Sequence, residues 1–358
     1  MARTSSRPTT AKTSDTSRRT GRAPVTIRDV AERAGVHVST VSRVLSEDKR
    51  GLVNDKTAQR IDTIVAELGY APNRLAQGLK TKRSKTVGAL INDLTNPVFP
   101  ALVRGIEDRL LESGYSVLVF NTDDDPARER RGYDTLNARQ VDGFIMSTAR
   151  REHALADHAL DAGVPLALVV RNIDSHRAAA ATPNERLAVR LGVEHLHSLG
   201  HTRIAHLAGP QEVSNGALRL AGVREAMTNL GLLIDPALIV DAAGFTIDQG
   251  ERATRVLLDC GAPFTAIFAA NDMLAVGALR VLSERGLRCP EDVSVLGFND
   301  MPFADCLSPP LTTLHVPYYR LGVHVAELLL EQLAGLPARE ISVDPQLVVR
   351  GSTAPRAG

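Results

Sequence analysis

From Thr86 onward the sequence alternates short apolar runs with amphipathic stretches, and it does so in two successive series. The first has strand-like runs at VGALI (87–91), YSVLVF (115–120), VDGFIM (141–146) and PLALVV (165–170). The second has them at RIAHLAG (203–209), ALIVDA (237–242), AIFAA (266–270) and VSVLGF (293–298). Unbroken apolar strands are buried on both faces, and helical segments between them are the crossovers that parallel strands require. The pattern predicts two α/β lobes of ordinary domain size. After them, LTTLHVPYYRLGVHVAELLLEQLAG reads as one more strand and a helix with Leu321, Val325, Leu328 and Leu329 on one face. The strand-like ISVDPQLVVR and a tail, 351–358, complete the chain. No period of 20–50 residues recurs, which excludes a solenoid, and no C-terminal heptad repeat offers a separate oligomerisation helix.

The net charge of +1 conceals a division along the chain. Residues 1–85 hold 18 Lys and Arg against 8 Asp and Glu, leaving 24 against 33 for residues 86–358, so a head of +10 precedes a body of −9. Attraction to phosphates depends on local charge, and this division suggests a polyanion-binding head on a body with another task. Residues 1–23 carry Arg3, Arg7, Lys12, Arg18, Arg19 and Arg22 among Ser, Thr and Pro. They hold too little apolar surface to offset the entropy of ordering, and read as a disordered basic arm.

The head itself, 24–71, has the punctuation of three short helices. Thr26 can cap the first, with Asp29 as a weaker form of the capping box and Val30, Ala31 and Ala34 on one face, and Gly35 ends it. After the Gly35-Val36-His37 connection, Val41, Val44 and Leu45 recur at helical spacing and leave Ser39, Thr40, Ser42 and Arg43 on the other faces. A third helix starts at Asn54, turns Ala58, Ile61, Ile64, Val65 and Leu68 inward, and stops at Gly69. Three helices with a glycine turn make a helix-turn-helix unit. Its second helix is small and polar outside, so its backbone can approach base edges in the major groove while hydroxyls and the Arg43 fork reach bases or phosphates.

Other classes of function find little support. Cys260, Cys289 and Cys306 match no disulfide or zinc spacing and read as buried, inert thiols. There is no apolar run near the length of a membrane span, and the N-terminus lacks the apolar segment of a secretory signal, so a cytoplasmic protein is expected. The chain shows no GxSxG and no P-loop, and no cofactor or catalysis is expected. His195, His197 and His201 lie around a helix end and read as scaffold rather than as metal ligands.

Several stretches are specific in combination: TIRDVAERAGV, TVSRVL and ELGYAPNRLAQ in the head, then NPVFPALVRGIEDRLLESGY, VDGFI, GVEHLHSLGHTRIAHLAGP, LRLAGVREAM, FAANDMLAVGALRVL, VSVLGFND and PPLTTLHVPYYRLG. Together they resemble the lactose/galactose repressor family over residues 24–350. The resemblance implies that Val38 and Ser39 tune operator choice, and that Thr26, Thr40, Ser42 and Asn54 suit phosphate or base contacts. Residues 72–85 become a hinge whose short helix lies in the minor groove, lined by Asn73 and Ala76, with Leu79 as a wedge at a base step. So brief a helix is marginal alone, and Gly78 weakens it further, so it would order only on DNA.

The resemblance also implies a body like periplasmic sugar-binding proteins: an N-lobe of 86–183 plus 315–343, a C-lobe of 184–314 plus 344–350, and a ligand in the cleft between them. Its pocket motifs fall on Asn92, Asp93, Arg219, Asn271, Asp272, Asn299 and Asp300, with Phe99, Phe245 and Tyr318 as apolar or stacking walls. Arg219 is the first choice, because a guanidinium can hold paired hydroxyls or a carboxylate. The chain departs from the family at several points. His37 stands where Ser is usual, so it either caps the recognition helix weakly or touches DNA itself. The loop SEDKRGLVN is longer, and its Lys49 and Arg50 are either phosphate contacts or plain solvated residues. Asn299 replaces a common Asp, Pro183 precedes Asn184 where Asp-Asn is common, and Val98 replaces a frequent aromatic. The resemblance thus leads to the expectation of a repressor of carbohydrate genes, binding a palindromic double-stranded DNA operator as a homodimer under control of a small-molecule effector. Two alternatives remain: the same head controlled by a phosphocarrier protein, or a solute-binding protein of a transporter.

Overall fold

A computed structural model describes residues 25–70 and 83–356, and the chain divides between Gln77 and Gly78 into two compact units. The first unit holds α1 (Ile27–Ala34), α2 (Val38–Val44) and α3 (Asp55–Leu68). Val30, Ala31, Ala34, Val41, Val44, Ala58, Ile61 and Ile64 form its core. Gly35 and Gly69 terminate α1 and α3 at φ of 60° and 62°, a left-handed conformation that glycine adopts without a Cβ penalty.

The longer loop is not a plain solvated one. Glu47–Leu52 is a 3-10 helix, and the Arg50 guanidinium pairs with the Asp62 carboxylate of α3 and donates to the Val44 carbonyl at 3.3 Å. The insertion is therefore stapled to the head, and Arg50 is engaged internally rather than left for phosphate.

In the second unit, β1 (Thr86–Ile91), β2 (Ser116–Asn121), β3 (Gly143–Met146), β4 (Leu166–Val169) and β5 (Ala179–Pro183) are joined by α4 (Phe99–Glu112), α5 (Pro126–Ala138) and α6 (Ala154–Asp161). The remaining elements in chain order are α7 (Glu185–Ser198), β6 (Ile204–Ala208), α8 (Ser214–Asn229), β7 (Ile239–Asp241), α9 (Ile247–Asp259), β8 (Ala266–Ala269), α10 (Asp272–Glu284), β9 (Ser294–Leu296), β10 (Thr313–His315), α11 (Tyr318–Leu333), β11 (Glu340–Val343) and β12 (Gln346–Val348). One parallel sheet runs β11-β5-β4-β3-β1-β2 and a second runs β7-β6-β8-β9. In the first, Val87, Ala89 and Ile91 share a core with Leu102 and Ile106 of α4 and Leu321 and Val325 of α11, while Leu90 packs with Tyr133 and Leu136 of α5. Alternate residues of one strand thus bury on opposite faces, as a doubly covered sheet requires.

Two parts of the chain differ from the reading of the sequence. The strand β5 is not legible there, because AAATP lacks the β-branched bulk of its neighbours. ISVDPQLVVR is two strands, not one: β11 joins the first sheet beside β5, and β12 pairs antiparallel with β10. The C-terminal segment is also no loose tail through Arg356. Ser352 is fully buried and exchanges hydrogen bonds with Val295. His195 meets the Thr353 hydroxyl at 3.0 Å, and His201 meets the Ala354 carbonyl at 3.0 Å, so these histidines hold the chain end. Among the cysteines, Cys260 and Cys306 are exposed and Cys289 is half-buried, so the expectation of three buried thiols is corrected; all three are free.

Candidate functional site

On the head, α2 presents Ser39, Ser42 and Arg43 to solvent, with Thr40 partly covered. Arg43 makes no hydrogen bond or ion pair among the described residues. His37 is the N-cap of α2, and its Nδ1 accepts from the Ser39 backbone N–H at 3.2 Å and lies 2.8 Å from the Ser39 hydroxyl. The ring performs the service that a serine oxygen usually performs there. Val38 is half-buried against the head core, so only part of its side chain faces outward.

Thr26 is the N-cap residue of α1, and Asp29 closes over it by accepting from the Thr26 N–H and hydroxyl at 2.7 and 2.9 Å, two bonds that hold the Asp29 carboxyl below the usual carboxylate range. Asn54 caps α3, its Oδ1 accepting from the Lys56 N–H at 3.0 Å. Asn73, Ala76 and Leu79 lie outside the described residues.

In the second unit, strands of both sheets end at a shared cleft, where the backbone turns out of the sheet and side chains from separate strands converge. A cavity of about 30 Å³ lies there. Asn92 follows β1, Asn96 lies in the turn before α4, Phe99 begins α4, and Arg171 follows β4. From the other lobe come Asn215 and Arg219 on α8, Phe245 before α9, Asn271 after β8 and Asn299 after β9, while Tyr318 at the start of α11 belongs to the first lobe. Two non-glycine residues of the lining, Val170 at φ 67° and Asn299 at φ 119°, occupy backbone conformations that L-residues rarely adopt. For a β-branched residue such as Val170 that strain has to be held by its surroundings, here within a strand end that is almost wholly buried.

Arg219 lies in the lining but is not free. It is 2% exposed, it donates from Nε and Nη2 to the Glu185 carboxylate at 2.7 and 3.0 Å and from Nη1 to the Ala270 carbonyl at 2.6 Å, and it stacks 3.6 Å from the centre of the Phe298 ring. Asn271 is an N-cap as well as a wall: its Oδ1 accepts from the Leu274 N–H at 2.8 Å, and its amide donates to the Phe245 carbonyl at 3.2 Å. Tyr318 donates its hydroxyl to Asn299 Oδ1 at 2.8 Å.

Two carboxylates expected in the pocket are placed otherwise, and a third lines the mouth of the cleft. Asp272 is fully buried outside the cavity lining, accepting from the Thr313 hydroxyl at 2.5 Å and the Met301 N–H at 2.7 Å, so it joins the segment after β9 to β10. Burial pushes its carboxyl up to about 7. Asp300 is turned to Arg350 and His315, at 2.8 and 3.0 Å. Asp93 lies at the outer mouth of the cleft, where it accepts from the Thr95 hydroxyl and N–H.

The residues not anticipated are Asn96, Val170, Arg171 and Asn215. Arg171 is 3% exposed and donates to both oxygens of Asp124, at 2.8 and 3.1 Å. A strand end followed by Arg-Asn is a visible signal for Arg171, whereas Asn215, the second residue of α8, has nothing local to mark it.

Residues 26–73 match the description "Bacterial regulatory proteins, lacI family", and residues 193–353 match a periplasmic binding protein-like domain. The ribose operon repressor of Halalkalibacterium halodurans is 34% identical over 330 residues, covering 92% of this chain and 97% of that protein. The chain belongs to the lacI family of bacterial regulatory proteins. Among other members, the transcriptional regulator DegA of Bacillus subtilis is 34% identical over 92% of this chain and 98% of its own, and CytR of Escherichia coli is 31% identical over 92% and 96%. A Lac repressor dimer bound to operator and an anti-inducer superposes with a TM-score of 0.81 at 33% identity, covering 92% of this chain and 99% of that one. A complex of the regulator CelR with cellobiose does so at 0.71 and 31%, with the same two coverages. As a lacI-family member the protein is a DNA-binding transcriptional regulator that joins a helix-turn-helix head to a periplasmic-binding-protein-like α/β body. Among the described residues, no helix is long and apolar enough to cross a membrane.

Proposed function

We propose that this regulator is a repressor of carbohydrate uptake or catabolism, binding a roughly palindromic operator as a homodimer and responding to a sugar-like effector in the interlobe cleft. The observation that carries the reading is the pairing in one chain of an exposed helix with an unengaged Arg43 and a polar cavity closed by side chains of two lobes. Relatives named as sugar-operon repressors support it. Arg43 reads base edges, Ser39, Thr40 and Ser42 support it at bases or phosphates, and the hinge with Leu79 transmits the state of the lobes. The exposed arginine is the point of test. Once the operator has been selected from genomic fragments, Arg43→Ala is expected to lower specific affinity by at least about 1 kcal/mol, roughly fivefold, while affinity for random duplex changes little. An equal loss on both duplexes assigns Arg43 to phosphate, and no loss removes it from the interface.

A further inference from the structure

The helix α2 is seven residues long, well below the length at which a helix is stable alone in water, so whatever fixes its two ends decides where its outward side chains point. The N-terminal end is held by the His37 ring. At the other end Val44 is the last residue of α2, and its carbonyl is one of the four that an α-helix leaves without an N–H of its own. Arg50, in the 3-10 helix of the longer loop, supplies a donor there. Its Nη1 donates to the Val44 carbonyl at 3.3 Å and to Asp62 Oδ1 at 3.2 Å, and its Nη2 donates to Asp62 Oδ2. Asp62 is fixed on α3, whose Ile61 and Ile64 lie in the core of the head. One guanidinium therefore spans from the end of α2 to the flank of α3, and the turn of α2 that it holds is the one carrying Ser42 and Arg43.

Base edges and phosphates ask different things of a protein. A hydrogen bond to a base edge needs its donor held to a fraction of an ångström, whereas a long side chain follows a phosphate through small shifts of the backbone. The ion pair of Arg50 with Asp62 is half exposed, so it adds little to the stability of the head, and its charges cancel, so it adds little to the attraction for phosphates. What remains for it is orientation. Resting on the reading that α2 reads base edges, the geometry points to Arg50 as a positioning residue for operator recognition: through the Val44 carbonyl and Asp62 it fixes the angle of α2 on α3, and so sets sequence preference without itself reading a base.

The test compares Arg50→Ala, Asp62→Asn and the double variant, each in the full chain, on the selected operator and on random duplex at several salt concentrations. The single substitutions change the charge of the head in opposite directions, and the double variant restores it. Each single is expected to lower the ratio of operator to random-duplex affinity at least about threefold, and the double variant no further than the worse single, because both remove the same link. The log–log slope of random-duplex affinity against salt is expected to stay as in the unsubstituted protein, since no phosphate contact is lost. Weaker binding with Arg50→Ala and tighter binding with Asp62→Asn, on both duplexes alike, make Arg50 a charge felt by phosphates and overturn the inference. An equal loss on both duplexes marks a general loosening of the head and also overturns it, as does an unchanged ratio. Arg43→Ala, measured beside them, keeps the two readings apart. If it lowers the ratio while the Arg50 and Asp62 variants do not, the positioning role alone falls; if it too leaves the ratio unchanged, base reading by α2 falls as well.

Discussion

Arg219 illustrates how much a residue's role depends on a partner far away in the chain. Its surroundings in ALRLAG point to the pocket, and the structure puts it in the lining, but its guanidinium is bound bidentately by Glu185 on another helix. Both members are almost fully buried. Removing one partner of such a pair strands the other charge, so Arg219→Ala is expected to lower unfolding stability by about 3–5 kcal/mol, measured by urea denaturation. A loss below about 1 kcal/mol contradicts the pairing. The variant therefore tests the lobe's integrity before it tests effector response, and Asn215 and Asn299 are the cleaner probes of the cleft. His37 shows the opposite case. Its departure from the usual serine is visible in the sequence, and the local geometry resolves it, since an N-cap needs only an acceptor at the right place and Nδ1 supplies one.

Among the helices, periodicity located the buried faces correctly but said nothing about how closely two helices approach. In the first lobe, a Cβ on Gly105 of α4 would overlap the Tyr319 carbonyl of α11, and one on Gly322 of α11 would overlap the Leu102 carbonyl of α4. The second lobe repeats the device, with Gly250 of α9 against the Leu274 carbonyl of α10 and Gly277 of α10 against the Ile247 carbonyl of α9. Each glycine gives up helix propensity, worth about 1 kcal/mol against alanine, to let two backbones touch. Gly322→Ala gains that propensity but must spread α4 from α11, and a net loss of about 1–3 kcal/mol is expected in chemical denaturation. A gain in stability contradicts the close crossing. In the sequence these glycines look like ordinary interruptions of a helical pattern, because the carbonyl that each one faces belongs to a different element.

At the scale of the molecule, the symmetry of a dimer implies symmetry in its DNA. Deleting one half-site of the selected operator is expected to reduce affinity more than about tenfold, because a second, linked contact is lost, and the log–log slope of affinity against salt is expected to become shallower as phosphate contacts disappear. Titrations of full and half operators at several salt concentrations check both. Equal affinity for the two duplexes would point to a monomeric reader and remove the proposed dimer from the mechanism.

Charge division, helix caps and apolar periodicity are properties of residues near one another in the chain, and from them the helix-turn-helix head and the two α/β lobes could be read without coordinates, whereas the cleft between the lobes was implied by the family resemblance. Tertiary structure alone decided that β11 and β12 part company into different sheets, that Asp272 and Asp300 turn away from the cavity, and that Arg219 in the cleft is held by Glu185 of another helix. Those outcomes depend on which groups meet across long stretches of sequence, and a hydrogen bond is spent or spare only by virtue of what has folded up beside it.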